Sequence, residues 1–311
     1  MHLLIPFASG LSEAAVHVAR DLSLTHLARL LVRLHEFAEP GPATGPESFS
    51  PPHERAIARA LGWTGGDGCL PFGAWLGQKD GIEVGDRAWG LMTPAHWHAG
   101  RDQVTLSDPV ALALDEATSR TLFEAVKPLF TDEGFALEWG APLRWYLANP
   151  MLAQLRTASS DRVVGRNIDP FLPYDAAARL LRRLQQEVQM LLYQHPMHDE
   201  RVAAGLLPMN SFWLSGCGRL QPAHNPEPTV LDELRGPALQ SDWTSWAEAW
   251  QRLDAGPIAE ALALSRGGQS VVITLCGERR SVELRAGGSR LSRWAKRLQA
   301  APDPTALLVS L

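Results

Sequence analysis

The sequence predicts a layered α/β fold in which helices cover both faces of a sheet. Residues 3–8 form a short apolar run of the kind found in strands that are buried on both faces. Residues 174–196 carry leucine and valine at helical spacing, which is typical of an amphipathic helix. Segments of these two kinds alternate along the chain without an internal repeat. Such alternation is the pattern of layered α/β proteins.

The first 81 residues contain one predicted strand, at residues 3–8, and three predicted helices. Ser12 is a suitable N-cap for the first helix. Leucines at 24, 27, 30, 31 and 34 form the apolar stripe of a second helix over residues 23–37, and a third spans 54–63. The Pro/Gly/Ser-rich stretch at 39–52 is predicted as a surface loop. Residues 63–81, which are rich in glycine, are predicted to be irregular.

The central part of the chain continues the alternation. We expect a strand at 88–98, a helix in two pieces at 108–130 with Asp115 or Thr118 capping the second piece, and a β-hairpin at 135–148. The clearest helix starts at the Asp175 cap and ends at Pro196, and the core strand "MNSFWLSG" follows at 209–216.

The C-terminal part is predicted to hold a helix at 245–253, strands at 270–277 and 280–286, and a closing helix at 289–298. Together the elements predict a single α/β domain over residues 1–311, with the Pro/Gly-rich loop at 39–52.

Composition excludes several classes of protein. The net charge of -5 argues against nucleic acid as a partner. Cys69, Cys217 and Cys276 are odd in number and widely spaced, so they predict neither a disulfide framework nor a zinc knuckle. The apolar run at the N-terminus is too short for a signal peptide or a membrane span, so we expect a cytoplasmic protein. We expect the eleven tryptophans to lie mostly in the core.

The segment "TPAHWHAGRD" at 93–102 is the first candidate site. In an extended segment His96 and His98 point to the same side, and such a pair can bind one metal ion. Asp102 would supply an oxygen ligand or orient one imidazole ring. The alternative is structural, with Trp97 packed inward and both histidines at the wet end of a strand.

The segment at 194–218 is the second candidate site, and it holds several polar residues in one loop. His195 follows a helix C-terminus, where the dipole also favours it for structural reasons, and Arg201 lies six residues further on. Ser215 and Gly216 follow the core strand, where small residues let a backbone approach an anionic ligand closely. A tight turn at the end of the strand is the alternative.

The segment "DRVVGRNIDPFLP" at 161–173 is the third candidate site. Arg162, Arg166 and Asn167 are residues that can hold a phosphate or a carboxylate. They can equally tie this loop to its neighbours through ordinary hydrogen bonds. No P-loop, G-x-G-x-x-G, G-x-S-x-G or H-E-x-x-H motif is present.

Residues 194–218 resemble the middle of the archaeal-type cofactor-independent phosphoglycerate mutases. There a helix leads into a His-Pro-x-Asn-x-x-Arg segment, which is followed by an Asn-containing strand and a Gly-x-Gly turn. The matching residues are His195, Pro196, Arg201, Asn210, Gly216 and Gly218, while His198 stands in place of the motif's asparagine. The resemblance implies an alkaline-phosphatase-like core.

The whole chain resembles the bacterial regulatory proteins grouped with RpfE, through "HLLIPFA", "TPAHWH", "GRNIDPF" and "NSFWLSG". It departs from the alkaline-phosphatase-type enzymes, which place a metal-binding aspartate directly after the first strand. Ala8 and Ser9 stand there instead, and no histidine follows His224. A two-metal site needs several carboxylate and imidazole ligands, so a two-metal phosphomutase mechanism is unsupported.

These observations predict a non-catalytic regulatory or small-anion-binding protein on a degenerate phosphoglycerate-mutase-like scaffold. Its pocket would lie near "NSFWLSG", "TPAHWH" and "GRNIDPF" and would bind a small anionic metabolite without a cofactor. We also expect a protein partner, and we expect neither nucleic acid nor a membrane as a partner.

The alternative is a divergent metal-dependent phosphotransfer or phosphohydrolase enzyme. His96, His98 and Asp102 would bind a single zinc, manganese or iron ion or act as acid and base, and His195 or His198 would complete the site. The arginines that would clamp the substrate anion are Arg162, Arg166 and Arg201.

Overall fold

The computed structural model describes residues 1–36, 45–174, 178–285 and 303–311. Its strands are β1 (His2–Ile5), β2 (His35–Glu36), β3 (Ala88–Ala95), β4 (Trp97–Ala99), β5 (Val104–Leu106), β6 (Ala136–Ala141), β7 (Arg144–Ala148), β8 (Ser211–Arg219), β9 (Thr229–Val230), β10 (Val272–Cys276) and β11 (Ser281–Arg285). Its α-helices are α1 (Glu13–Asp21), α2 (Thr25–Leu31), α3 (Pro52–Leu61), α4 (Phe72–Lys79), α5 (Glu116–Thr131), α6 (Ser160–Val163), α7 (Arg179–Gln194), α8 (Pro196–Ala203), α9 (Arg235–Leu239), α10 (Trp243–Leu253), α11 (Ala259–Arg266) and α12 (Pro304–Val309). The predicted mixed α/β class is confirmed, since helices flank the sheets.

The chain divides into two compact units. The first comprises residues 1–46, 51–62 and 223–311, and the second comprises residues 47–50 and 63–222. One domain over residues 1–311 stays a prediction. Residues 39–44 of the predicted Pro/Gly-rich loop, Asp175, and the predicted closing helix at 289–298 lie outside the described residues.

Strand β1 is an inner strand of the first unit's sheet, whose order is β2-β11-β10-β1-β9. It pairs in parallel with β10 and with β9, so that Leu3 lies opposite both Ile273 and Thr229. The pairs β10–β11 and β11–β2 are antiparallel. The side chains of Leu3, Leu4 and Ile5 are at most 1% exposed. Burial on both faces explains why this strand is apolar at successive positions instead of alternating.

The sequence predicts the start of helix α1 correctly, but it does not predict the bounds of helix α2. The Ser12 hydroxyl accepts a hydrogen bond from the Ala15 N–H at 3.1 Å, which confirms the predicted cap of α1. Helix α2 stops at Leu31, earlier than predicted, and the chain turns into strand β2. The cap of α2 is remote in sequence, because buried Asp254 accepts the N–H groups of His26 and Leu27 at 3.0 and 2.7 Å. A local leucine pattern carries no information about such tertiary contacts.

The second unit is built on an antiparallel sheet of order β6-β7-β3-β8. The predicted hairpin is confirmed as β6–β7, and the predicted core strand is confirmed as β8. Asp115 caps α5 by accepting the Thr118 N–H at 2.7 Å. Strand β3 is shorter than predicted, because the chain leaves the sheet after Ala95 and forms the small β4–β5 hairpin.

Helix α4 corrects the prediction that residues 63–81 are irregular. Gly73 of this helix lies directly on the sheet, since a Cβ atom added there would lie 2.6 Å from the Leu91 nitrogen and 2.7 Å from the Gly90 Cα. Gly216 has φ +62° and approaches the same turn of α4, where an added Cβ would lie 2.8 Å from the Gly73 nitrogen. Glycine lowers helix propensity, so the sequence predicts a loop, but here it permits backbone-to-backbone packing.

Helix α7 follows the predicted amphipathic pattern. Leu181, Leu184 and Val188 are buried on one face, and the helix ends at Gln194 before Pro196. All tryptophans within the described residues are buried or half-buried, and Trp294 lies outside them. Among the described residues, no helix is both long enough and apolar enough to cross a membrane.

One buried hydroxyl satisfies two tryptophans in the second unit. Ser119 is fully buried, and its Oγ accepts hydrogen bonds from Trp139 Nε1 at 3.1 Å and Trp145 Nε1 at 3.0 Å. The same hydroxyl donates to the Pro142 carbonyl at 2.8 Å. One donor and two acceptor positions are therefore all used.

We expect Ser119→Ala to lower the free energy of unfolding by about 2–3 kcal/mol, because it leaves the buried Trp145 indole N–H and the half-buried Trp139 indole N–H without this acceptor. Urea denaturation followed by tryptophan fluorescence measures this change. Thr121→Ala is the matched control on the same helix, since this hydroxyl is exposed and, within the described residues, bonds only to the Ala117 carbonyl. The control should change stability by less than about 0.5 kcal/mol. Equal effects of the two substitutions would contradict the assignment.

A carboxylate at the end of α4 ties this helix to strand β7. Asp80 accepts hydrogen bonds from Arg144 Nε and Nη2 at 2.8 and 2.9 Å, and from the Tyr146 hydroxyl at 2.6 Å. The hydrogen bonds from Arg144, followed by that from Tyr146, hold the pKa of Asp80 below its usual 3.8. Burial and the Asp80 carboxylate raise the pKa of Tyr146.

We expect Asp80→Asn to lower stability at pH 7 by about 1–2 kcal/mol. The folded-state pKa of Asp80 lies below the unfolded-state value, so the carboxylate's contribution is complete above about pH 4 and is lost as pH falls through the folded-state pKa. The difference between wild type and variant should therefore shrink below pH 4 in urea titrations. Asp86→Asn, at an exposed position nearby, is the control. A difference that stays constant down to pH 2 would rule out this linkage.

Candidate functional site

A small pocket in the second unit lies between strand β8, helix α7 and the 3-10 turn at Asp169–Phe171. The volume open to the centre of a water-sized sphere is about 30 Å³, which is room for about two water molecules. Its lining combines six apolar or aromatic side chains with a proline, a threonine, a glutamine and an arginine: Thr157, Phe171, Leu172, Pro173, Leu181, Arg182, Gln185, Phe212, Trp213 and Leu214. An apolar enclosure with few polar groups is the usual character of a small-molecule site.

The pocket lies along the outer edge of β8, which among the described strands pairs on one side only. Side chains close this edge in place of a further strand. Gln185 Nε2 donates to the Phe212 carbonyl at 3.0 Å, and the Cys217 N–H donates to Thr157 Oγ1 at 3.4 Å. Burial raises the pKa of the Cys217 thiol to about 12, so it stays protonated.

Trp213 forms part of the pocket wall and is held from two directions. Its Nε1 donates to the Ala158 carbonyl at 2.8 Å, and its ring centroid lies 6.2 Å from that of Trp97. The side chain is 2% exposed. The indole is therefore fixed by the core behind it and presents a rigid surface to the pocket.

Arg182 is the charged residue of this lining. Its Nη1 donates to the Pro173 carbonyl at 2.5 Å, and its guanidinium carbon lies 5.5 Å from the centre of the Tyr174 ring. Within the described residues, Nε and Nη2 donate to no protein acceptor and no carboxylate pairs with this guanidinium. Nε and Nη2 lie along one edge of the planar guanidinium and donate in its plane, which is the geometry that receives a planar carboxylate.

Two of the three segments predicted to surround a pocket do so. Strand β8 contributes Phe212, Trp213 and Leu214, and the loop at 161–173 contributes Phe171, Leu172 and Pro173. The "TPAHWH" segment does not line the pocket, although Trp97 packs behind Trp213. Sequence reasoning missed Arg182, Gln185 and Thr157. The available signal was a polar pair at i and i+3 beside the buried stripe of α7, which also fits an ordinary half-exposed helix face.

The predicted metal ligands are not assembled into a ligand set. His96 Nδ1 lies 2.8 Å from the Pro208 carbonyl, while His98 and Asp102 are exposed. In the described part of the chain, no group of three or more His, Cys, Asp or Glu side chains is placed to hold a metal ion. Neither His195 nor His198 supplies a third ligand to the pair, and a metal at His96 and His98 stays a prediction.

The polar residues of the 194–218 segment support the backbone. His195 Nδ1 accepts the Met197 N–H at 3.2 Å and so caps helix α8. Arg201 is buried, and its guanidinium donates to the carbonyls of Leu207, at 2.9 Å, and Leu112. Burial lowers the pKa of Arg201, and the Asp115 carboxylate partly opposes this shift. With these contacts Arg201 serves as a structural tie.

Asn210 acts as a substitute strand partner for Trp97. Its Oδ1 accepts the Trp97 N–H at 2.7 Å, and its Nδ2 donates to the Trp97 carbonyl at 2.9 Å. Its own N–H donates to the Ala95 carbonyl at 3.1 Å. All of these contacts are internal, so the side chain holds the turn between β3 and β4.

The other predicted ligand residues also lie outside the pocket. Arg162 is buried in α6, and neither it nor Arg166 is without a protein partner. Asn167 Oδ1 accepts the Asp169 N–H at 3.2 Å, a hydrogen bond within the loop of the kind named above as the alternative to ligand binding. Ser215 is buried in β8, and Gly216 admits the backbone of α4 where the sequence suggested a ligand.

Comparison with known proteins gives only distant structural likeness. No family model matches the chain, and no curated protein matches it. Similar solved structures include a cofactor-independent phosphoglycerate mutase from Thermoplasma acidophilum, at 15% identity and TM-score 0.38, which covers 99% of this chain and 98% of that chain. The PH0037 protein from Pyrococcus horikoshii is similar at 12% identity and TM-score 0.41, covering 93% of this chain and 88% of that chain. Likeness of this degree carries no argument about activity, and membership of the RpfE-type family stays a prediction.

We expect Asn210→Ala to lower the free energy of unfolding by about 1–3 kcal/mol without any ligand present, because it removes both hydrogen bonds to Trp97. Thermal and urea denaturation measure the effect. Asn225→Ala is the control, since Asn225 is exposed and its side chain donates to the Ala60 carbonyl at 3.1 Å. If Asn210→Ala proves as mild as the control, the structural role assigned to Asn210 is wrong.

Proposed function

We propose that this chain is a non-catalytic regulatory protein that binds a small anion in the pocket beside Arg182. The observation that carries the proposal is the state of this guanidinium. It lies in a lining of mostly apolar side chains, and within the described residues two of its N–H groups have no protein acceptor. A partly buried charge without a counter-charge is unfavourable, and an anion bound there would neutralise it.

The chemistry of the lining supports binding rather than catalysis. The lining holds no His, Cys, Asp, Glu, Lys or Tyr side chain, which are the usual proton donors and acceptors in enzymes. Thr157 carries a hydroxyl, but no base lines the pocket with it. A site that holds an anion without transforming it is the kind that a metabolite sensor requires.

The position of the pocket supports a regulatory role. Most of its wall comes from a turn, a helix and a strand that are separated in sequence, at residues 171–173, 181–185 and 212–214. A ligand that bridges them stabilises the folded arrangement of all three, because it binds the folded state and not the unfolded chain. Occupancy would thus change the stability of this region.

The decisive variant is Arg182→Gln. We expect at least one of acetate, butyrate, inorganic phosphate and 3-phosphoglycerate to raise the melting temperature of the wild type above that in chloride at equal ionic strength. The affinity for that anion should fall at least tenfold in Arg182→Gln, because the substitution removes the charged fork. Isothermal titration calorimetry gives the affinities.

Arg183→Gln is the matched control, since Arg183 is the next residue on the helix, is exposed and pairs with Glu133. It should leave the affinity unchanged. The absence of binding by every anion, or equal affinity in Arg182→Gln, would overturn the proposed function.

A further inference from the structure

We infer that the pocket selects a short-chain aliphatic monocarboxylate, with the carboxylate on Arg182 and the alkyl tail among the apolar side chains. The inference rests on the proposed function and names its ligand class. Three properties of the lining lead to it: its charge, its polarity and its size.

The charge of the lining matches a single negative charge. Arg182 is its one charged side chain, and the polar neighbours Thr157 and Gln185 are neutral. A ligand with two or three negative charges, such as a phosphorylated acid, would bring charge that this lining does not neutralise. The free Nε and Nη2 groups form a planar two-donor fork, which a carboxylate satisfies with two parallel hydrogen bonds.

Most of the wall is apolar and favours an alkyl tail. Phe171, Leu172, Leu181 and Leu214 supply only carbon atoms from their side chains, and Trp213 directs its indole N–H to the Ala158 carbonyl. A hydroxyl or a phosphate on the ligand's carbon chain would find no partner among these groups. A methylene chain loses nothing there and removes apolar surface from water.

The size of the pocket limits the tail. The volume open to the centre of a water-sized sphere, about 30 Å³, is room for about two water molecules. We infer from this a tail of about two or three carbon atoms. A longer tail would have to displace side chains of a close-packed core, which is unfavourable. Propionate and butyrate are therefore the best-fitting members of the series.

The test is the affinity of the full chain for acetate, propionate, butyrate, hexanoate and octanoate, by calorimetry and by saturation-transfer NMR. Affinity should rise about fourfold per added methylene up to butyrate and should fall for the longer acids. The Arg182→Gln variant should weaken butyrate binding at least tenfold.

Leu172→Ala tests the tail site separately. Leu172 is half-buried, so its truncation leaves the fold intact while it enlarges the pocket. The preferred acid should become hexanoate or longer. Leu206→Ala, at an exposed position outside the pocket, should leave the preference for butyrate unchanged.

The outcomes separate the two proposals. A maximum near butyrate that moves with Leu172→Ala and depends on Arg182 supports the inference. Arg182-dependent binding of phosphate or 3-phosphoglycerate without binding of the aliphatic acids overturns the inference and retains the proposed function. Affinity that keeps rising to octanoate also overturns it, because the tail would then lie outside the pocket. Binding of none of these anions overturns both.

Discussion

The outer edge of strand β8, which no other strand in the described part of the chain pairs with, is the constraint on which the candidate site depends. A strand that pairs on one side only leaves backbone groups that need other partners. Gln185 of α7 donates to the Phe212 carbonyl, and Thr157, in the loop before α6, accepts the Cys217 N–H. Side chains close this edge where a further strand would lie flat against it. The surfaces of α7, the 3-10 turn and β8 therefore do not touch along their whole length. The pocket is the space that remains between them, and Arg182 lies one turn of helix before Gln185.

Several residues that have the chemistry of ligand-binding groups are used to satisfy buried backbone. Asn210 pairs with both backbone groups of Trp97, and Arg201 donates to two carbonyls. His195 caps a helix. Amide, guanidinium and imidazole groups serve either purpose, because the hydrogen bonds that hold a metabolite are the same as those that hold a loop. Their residue types alone do not distinguish the two roles.

The proposed binding site centres on a single arginine, Arg182, and not on the histidines His96 and His98. His96 and His98 lie at the β3–β4 junction, one in contact with a carbonyl and the other exposed. Arg182 combines a partly satisfied guanidinium with an apolar lining, which gives a ligand both an ionic contact and a place for its carbon chain. Binding of this type needs neither a metal nor an acid–base pair.

The sequence alone determined the features that depend on neighbours in the chain. The apolar run of β1, the Ser12 and Asp115 caps, and the hairpin at β6–β7 follow from local patterns of burial and hydrogen bonding. Only the tertiary structure decided the cap at the start of α2, the existence of α4 and the location of the pocket. These depend on Asp254, on the stacking of Gly73 against Gly90, and on which half-exposed side chains of α7 meet the edge of β8. The physical reason is that each joins residues distant in sequence, and a local pattern contains no information about which distant backbone will come within contact distance.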